Sequence, residues 1–379
     1  MRTTELLDAT PRLRPGLLVS RALTRGASTM YVVKDRANGR AFEVPEKEHF
    51  VLTRLDGVRT LGDIGDEYAA TYGRRLGEPH WERLLWLLGT RSLLDTGSPQ
   101  AQDPPSTPTR ALAMLDAMAA AAGAVVNRRV LAGALALLGI TFVAVLVDLP
   151  RLLPTARDVL DHPEQVVAVV VLLWVSEAAH ELAHGVVARH YGCTVTKVNV
   201  ALLRCVVEDY LYLPSRGAQV LIAAAGVIVN AAFLVPFAVV WFVAPGSPFV
   251  AAFLVGGAAL TVLSLLPLPP WDGYKIVVHA LGSVSLATES QRYVYGIGRR
   301  IRRPELRYPR AAAVHLASYA VVWFALVALV ITGVVVGAGG LLSRAMGPAG
   351  QGIVIAVVVL VVAGWLAQPA LNKNKRSTS

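Results

Sequence analysis

The sequence predicts a multi-domain protein: an N-terminal α+β winged helix-turn-helix domain followed by an all-α polytopic membrane domain of about six transmembrane helices. Three observations carry that prediction. Residues 1–110 have ordinary soluble composition, whereas the rest is a series of long apolar runs, so the 54% hydrophobic content averages two unlike parts. A Pro- and Ser-rich stretch, 96–109, stands between them and reads as a linker. Finally, much of the net charge of +10 sits in a few segments flanking the apolar runs, which is the pattern of membrane topology rather than of nucleic-acid binding.

The elements of the front domain, 1–95, follow in order. Residues 1–26 are studded with Arg and lack an apolar core, so no signal peptide is expected and the domain is placed in the cytoplasm. From Leu17 to Val44 the pattern suggests strands, with Met30-Tyr31-Val32-Val33 and Ala41-Phe42-Glu43-Val44 flanking the turn-like Arg36-Ala37-Asn38-Gly39, which predicts a hairpin. Helices are predicted over 45–55, ending at Asp56-Gly57, over 60–72, starting beside the potential cap Thr60 and closed by Gly73, and over 79–88, stopping at Gly89. Strands followed by three short helices describe a winged helix-turn-helix. The candidate second helix carries Asp63, Asp66 and Glu67, and charges of both signs mix through 45–91. That is a poor surface for phosphate, so no nucleic-acid partner is expected.

Phe50-Val51-Leu52 leading to Leu55-Asp56-Gly57, Thr60-Leu61 and Ile64 resembles the peptide-binding domain of the precursor chaperone of pyrroloquinoline quinone synthesis. The same domain serves as the leader-peptide recognition element of many ribosomal peptide natural-product enzymes. The likeness covers about residues 13–95. It implies capture of a leader peptide as an added strand, with the recognition edge expected at Thr29, Met30, Tyr31, Val32 and Val33.

After the linker, an Ala-rich helical stretch over 110–126 is expected at the membrane surface. The membrane domain, 127–379, contains six apolar runs, 130–147, 166–187, 220–243, 249–267, 311–336 and 353–370, each near the roughly 20 residues that span a bilayer. Basic residues precede the first run (Arg128, Arg129), lie between the second and third (Arg189, Lys197, Arg204, Arg216) and between the fourth and fifth, and follow the sixth (Lys373, Lys375, Arg376). The loop 148–164 is acid-rich. By the positive-inside rule the chain is a multi-pass protein of the cytoplasmic membrane with both termini in the cytoplasm. Cys193 and Cys205 then lie on the cytoplasmic side, where a disulfide is not expected. Arg299-Arg300-Ile301-Arg302-Arg303 reads as a solvated face, an orientation mark or a binder of anionic lipid.

The chemistry is concentrated in Glu177-Ala178-Ala179-His180-Glu181-Leu182-Ala183-His184, late in the second run. On a helix His180 and His184 are about 40° apart and separated by roughly 6 Å of rise, so both rings reach one metal. Glu181 stands beside the first histidine as a general base, the H-E-x-x-H arrangement. Zn2+ held by such nitrogens with a position left to water lowers the pKa of that water toward neutrality. Ionisable groups at membrane depth are costly and usually functional. A third protein ligand is needed, and Asp272 in Pro267-Leu268-Pro269-Pro270-Trp271-Asp272-Gly273-Tyr274 is the candidate. The second and fourth runs point the same way through the membrane, so His184 and Asp272 are expected at similar depth.

These two motifs together resemble the site-2 protease family of intramembrane zinc metallopeptidases. Ala223-Ala224-Ala225-Gly226-Val227-Ile228-Val229-Asn230 resembles that family's Ala-Gly-Pro-x-x-Asn stretch. The likeness covers about residues 166–285. It implies a bundle enclosing zinc, with His180, His184 and Asp272 as ligands, Glu181 as base, and Asn230 and Ser264 in substrate binding or at the oxyanion. The chain departs from the family pattern at Ser264, where many members have Asn, at Trp271, commonly Leu, and at Val227, commonly Pro. Asn230 alternatively makes an interhelical hydrogen bond. Glu177, two turns before His184, is a partner of the ligands, a rival ligand or a group satisfying a polar neighbour inside the bundle.

The expected function is that of a zinc endopeptidase removing the leader of a ribosomally made precursor held by the front domain. The alternatives are a protease releasing a membrane-anchored regulator or clearing signal-peptide remnants, and a non-catalytic membrane-tethered receptor. The expected partners are a peptide or protein substrate and the lipid bilayer.

Overall fold

The computed structural model describes residues 6–95, 110–123, 128–199, 204–302 and 308–360. The chain forms two compact units, Met1–Leu286 and Ala287–Ser379.

The first unit opens with strands β1 (Leu17–Val19), β2 (Leu23–Arg25), β3 (Ser28–Asp35) and β4 (Ala41–Pro45). β3 is the centre of this sheet. β4 lies antiparallel along one side of it, and β2 and β1 share the other, β2 opposite Ser28–Met30 and β1 opposite Val33–Asp35. The expectation that Thr29–Val33 offers a free edge is therefore corrected. Two three-residue strands cover that side, each too short to show a two-residue hydrophobic period in sequence. The outer side of β4 carries no strand pairing among the described residues.

Helices α1 (Glu46–Leu52), α2 (Leu61–Tyr72) and α3 (Glu78–Thr90) follow. Thr60 caps α2 through a reciprocal box with Asp63, and Gly73 closes it in the left-handed conformation at φ 67°, where a Cβ would be strained. Their apolar faces enclose Trp81, Leu61, Ile64 and Leu93 together with Val33 and Val44 of the sheet. The linker predicted over 96–109 lies outside the described residues.

Helix α4 (Arg110–Ala122) packs on α7, burying Leu115 and Ala119, with Asp116 ion-paired to Arg189 at 2.6 Å. Next come α5 (Arg128–Val147), α6 (Leu149–Arg157) and α7 (Pro163–His190). A hairpin, β5 (Val195–Asn199) with β6 (Arg204–Val207), occupies the segment whose charges read as a loop. Then come α8 (Arg216–Val243), α9 (Pro248–Leu265) and α10 (Asp272–Leu281). Phe253, Leu254 and Leu234 form a packed core with Val145 and Leu152. Beside it the Trp241 indole donates to Asp148 at 2.6 Å.

Within this unit the front domain is joined to the helices by backbone and charge. Thr24 N donates to the Gly282 carbonyl and Val284 N to the Thr24 carbonyl, each at 2.8 Å, so β2 bridges the chain that leaves α10. Lys34 Nζ lies 2.7 Å from Glu208 and 2.8 Å from Asp209. Burial works against the Lys34 charge, but these hydrogen bonds and charges outweigh it and raise its pKa.

The second unit takes all but the first residue of α11 (Leu286–Tyr295), then α12 (Ile297–Arg302), α13 (Arg310–Met346) and an apolar helix α14 (Pro348–Leu360). Among the described residues five helices are long and apolar enough to cross a membrane: Arg129–Val147, Pro163–His190, Arg216–Val243, Pro248–Leu265 and Arg310–Gly340. The chain is therefore a membrane-embedded protein. α14 covers the start of the sixth predicted run, whose residues 361–370 lie outside the described residues.

Candidate metal centre

α7 carries both histidines on the face it turns to α8. Close approach is possible there because Gly226 has no side chain: a Cβ on it would lie 2.4 Å from His180 Nε2. Small residues at a crossing let helix backbones approach in this way. Asp272 comes from the first turn of α10, where the exposed N–H groups of a helix favour a carboxylate. The proline-rich break after α9 sets that start, and Gly273 lets it turn under Leu265, since a Cβ there would lie 2.1 Å from the Leu265 carbonyl oxygen.

These elements bring three donor atoms together. His180 Nε2 is 2.8 Å from Asp272 Oδ2, His184 Nε2 is 3.2 Å from the same oxygen, and the two Nε2 atoms are 3.3 Å apart. All three residues are buried, at 4%, 8% and 6% exposure, so the cluster is no chance meeting of surface acids. A tetrahedral ion with ligand bonds of about 2.0–2.1 Å holds its ligands roughly 3.3 Å apart. The triangle has about the required size, and its two imidazoles and one carboxylate suit a first-row divalent cation. The group His180, His184 and Asp272 can hold a metal ion.

Neighbours orient the ligands. His184 Nδ1 lies 2.7 Å from the Ile222 carbonyl, a contact that places the proton on Nδ1 and leaves Nε2 free to bind. His180 Nδ1 is buried without a hydrogen-bond partner among the described residues. Asp272 Oδ1, the oxygen turned from the histidines, accepts from Lys275 Nζ at 2.7 Å. Burial works against the Asp272 carboxylate, but the facing His180 and His184 rings and the Lys275 ammonium outweigh it and hold its pKa well below the ordinary carboxylate range.

Glu181 is half-buried and lies outside the donor triangle; its Oε2 accepts the backbone N–H of Cys205, in β6, at 3.1 Å. Asn230 is engaged across the helices: Oδ1 accepts from Ser176 at 3.1 Å and Nδ2 donates to Glu177 at 2.8 Å. Glu177 thus satisfies a polar neighbour inside the bundle. Ser264 is buried in the last turn of α9. Burial pushes the thiols of Cys193 and Cys205 up to about 11, so neither is a thiolate near neutrality.

Lys275, the Ile222 carbonyl and the Cys205 amide escape the sequence reading, and Gly226 enters it only as part of a motif, without its contact to His180. A cation three residues after a candidate ligand on a helix is a signal for the first. The other three act through backbone or through a missing side chain and leave little trace. Comparison of the chain with protein-family models, curated proteins and solved structures found no match to any of them.

Proposed function

We propose that this chain is a zinc endopeptidase of the site-2 protease type in a cytoplasmic membrane, with both termini in the cytoplasm. Its front domain, read as a winged helix-turn-helix that captures peptides, presents the leader of a ribosomally made precursor. The observation that carries the reading is the buried triangle of His180 Nε2, His184 Nε2 and Asp272 Oδ2, with a carboxylate, Glu181, next to the first ligand.

When bound by these three residues, zinc supplies Lewis acidity to a water and to the scissile carbonyl. Glu181 takes the proton that the attacking water loses and passes it to the leaving amine as the C–N bond breaks and the new C–O bond forms. The Cys205 amide holds the carboxylate beside the ligand helix until then. Lys275 holds Asp272 to a single metal-facing oxygen. The outer side of β4 (Ala41–Pro45), which carries no strand pairing among the described residues, is the edge assigned to an added peptide strand.

Glu181→Gln in the purified full-length protein is expected to keep one bound zinc and to lose about 10²- to 10⁴-fold in peptide cleavage. Metal analysis and a quenched-peptide assay read the two quantities separately. Normal cleavage by this variant would overturn the base assignment, and a wild-type protein free of zinc would overturn the metallopeptidase reading.

A further inference from the structure

We propose that the second unit carries a binding site for the headgroup of an anionic phospholipid, centred on Arg300. A cavity of ≈ 270 Å³ is lined by Tyr293, Ile297, Arg300, Ile301, Tyr308 and Ala313. The Arg300 guanidinium lies 4.1 Å from the ring centre of Tyr293 and 5.3 Å from that of Tyr308, and it donates to the Tyr293 backbone carbonyl. Two aromatic faces and a carbonyl hold the planar cation in place, and the guanidinium's several N–H groups keep donors for a phosphate.

The rest of the lining is apolar, and its exposure is that of a membrane surface. Ile297 and Ile301 are 43% and 71% exposed, and Tyr295 nearby is 55% exposed. Tyrosines at the head of an apolar span are the usual anchors at headgroup level, and here the span Arg310–Gly340 starts two residues after Tyr308. A ligand with an anionic head and an apolar tail matches both halves of the cavity.

Charge points the same way. Among the described residues of this unit Glu289 is the single acid, and it pairs with Arg292 at 2.8 Å. Arg299, Arg300, Arg302 and Arg310 form no ion pair among the described residues. Four cations clustered at the head of an apolar span, without internal counter-charge, attract an anionic surface. The tyrosine cage makes one of them a site rather than part of a diffuse cloud.

The test is native mass spectrometry of the full-length protein in mild detergent, titrated with phosphatidylglycerol, with phosphatidylcholine and with soluble glycerol phosphate. The wild type is expected to retain phosphatidylglycerol in preference to phosphatidylcholine and to ignore glycerol phosphate at equal concentration. Arg300→Gln is expected to weaken retention about tenfold, and Arg299→Gln with Arg302→Gln, both exposed, to weaken it by only about twofold per charge. Arg300→Lys, which keeps charge but loses the planar stack, falls between wild type and Arg300→Gln. Arg74→Gln, on the exposed front domain, leaves retention unchanged. A loss in Arg300→Gln no larger than that in the Arg299/Arg302 double variant would overturn the proposal, as would an unchanged lipid preference in Arg300→Gln. Displacement of the lipid by glycerol phosphate at equal concentration would assign the site to a free phosphate instead.

Discussion

The front domain and the metal centre belong to one compact unit, yet they are held by opposite means. In the front domain Trp81, Leu61, Ile64 and Leu93 are at most 1% exposed, and their contribution is apolar area removed from water. At the metal centre the residues are nearly as deeply buried but are polar, and each is held by a bond to another: Asp272 to both histidines and Lys275, and His184 to the Ile222 carbonyl. The first kind of core loses stability in proportion to volume removed. The second leaves an unpaired buried group whenever one member goes, which costs more than the bond was worth.

Four substitutions break or sharpen this contrast, and the largest effect is expected at the centre. Asp272→Ala removes one of three donors and leaves two buried imidazoles facing each other, so bound metal should fall to background in elemental analysis. Retention of stoichiometric metal would mean that another group completes the site. Next, Trp81→Ala should destabilise the front domain by about 3–5 kcal/mol in chemical denaturation while metal content stays at the wild-type level. If the metal were lost too, the two regions would not be separable in the way argued.

Gly226→Ala falls between the two kinds of core. Its Cβ would sit 2.4 Å from His180 Nε2, so overpacking of about 1–3 kcal/mol should be accompanied by weakened metal binding, seen as faster loss to a chelator. The same substitution at Gly139 on α5, where nothing lies within 4 Å of the built Cβ, should change neither. The smallest effect is expected for Lys275→Met, which frees Asp272 Oδ1: metal affinity should drop about 10- to 100-fold, and Lys275→Arg should restore most of it. No change in either variant would make the Lys275 contact incidental.

The contrast also explains what could be read from sequence. The helices of the front domain end where caps and glycines end them, because capping is local: Thr60 with Asp63 at one end of α2, Gly73 at the other. The pair His180 and His184 was legible for the same reason, being four residues apart on one helix. Asp272, 88 residues beyond His184, was reachable only through span direction and through resemblance to a family. Strand character from Leu17 onward was legible, but not that β1 and β2 pair with β3, and that missing pairing misplaced the free edge of the sheet. The hairpin β5–β6 was hidden because its charged residues read as a loop, and with it went the Cys205 amide beside Glu181. Contacts made by main-chain atoms carry no residue signature.

One of those main-chain contacts bears on how freely such a chain could be recombined. Thr24 is hydrogen-bonded to Gly282 and Val284, immediately after the ten-residue helix whose first residue is Asp272, a rod of about 15 Å. A different front domain grafted at 96–109 would arrive with its own second strand, and that strand would have to fit the exit of α10. Exchanging the front domain alone would therefore place a foreign edge at one end of a helix that carries a candidate metal donor, Asp272, at the other. A working exchange has to move the 282–284 segment along with the domain, so the unit of inheritance is the domain plus its socket.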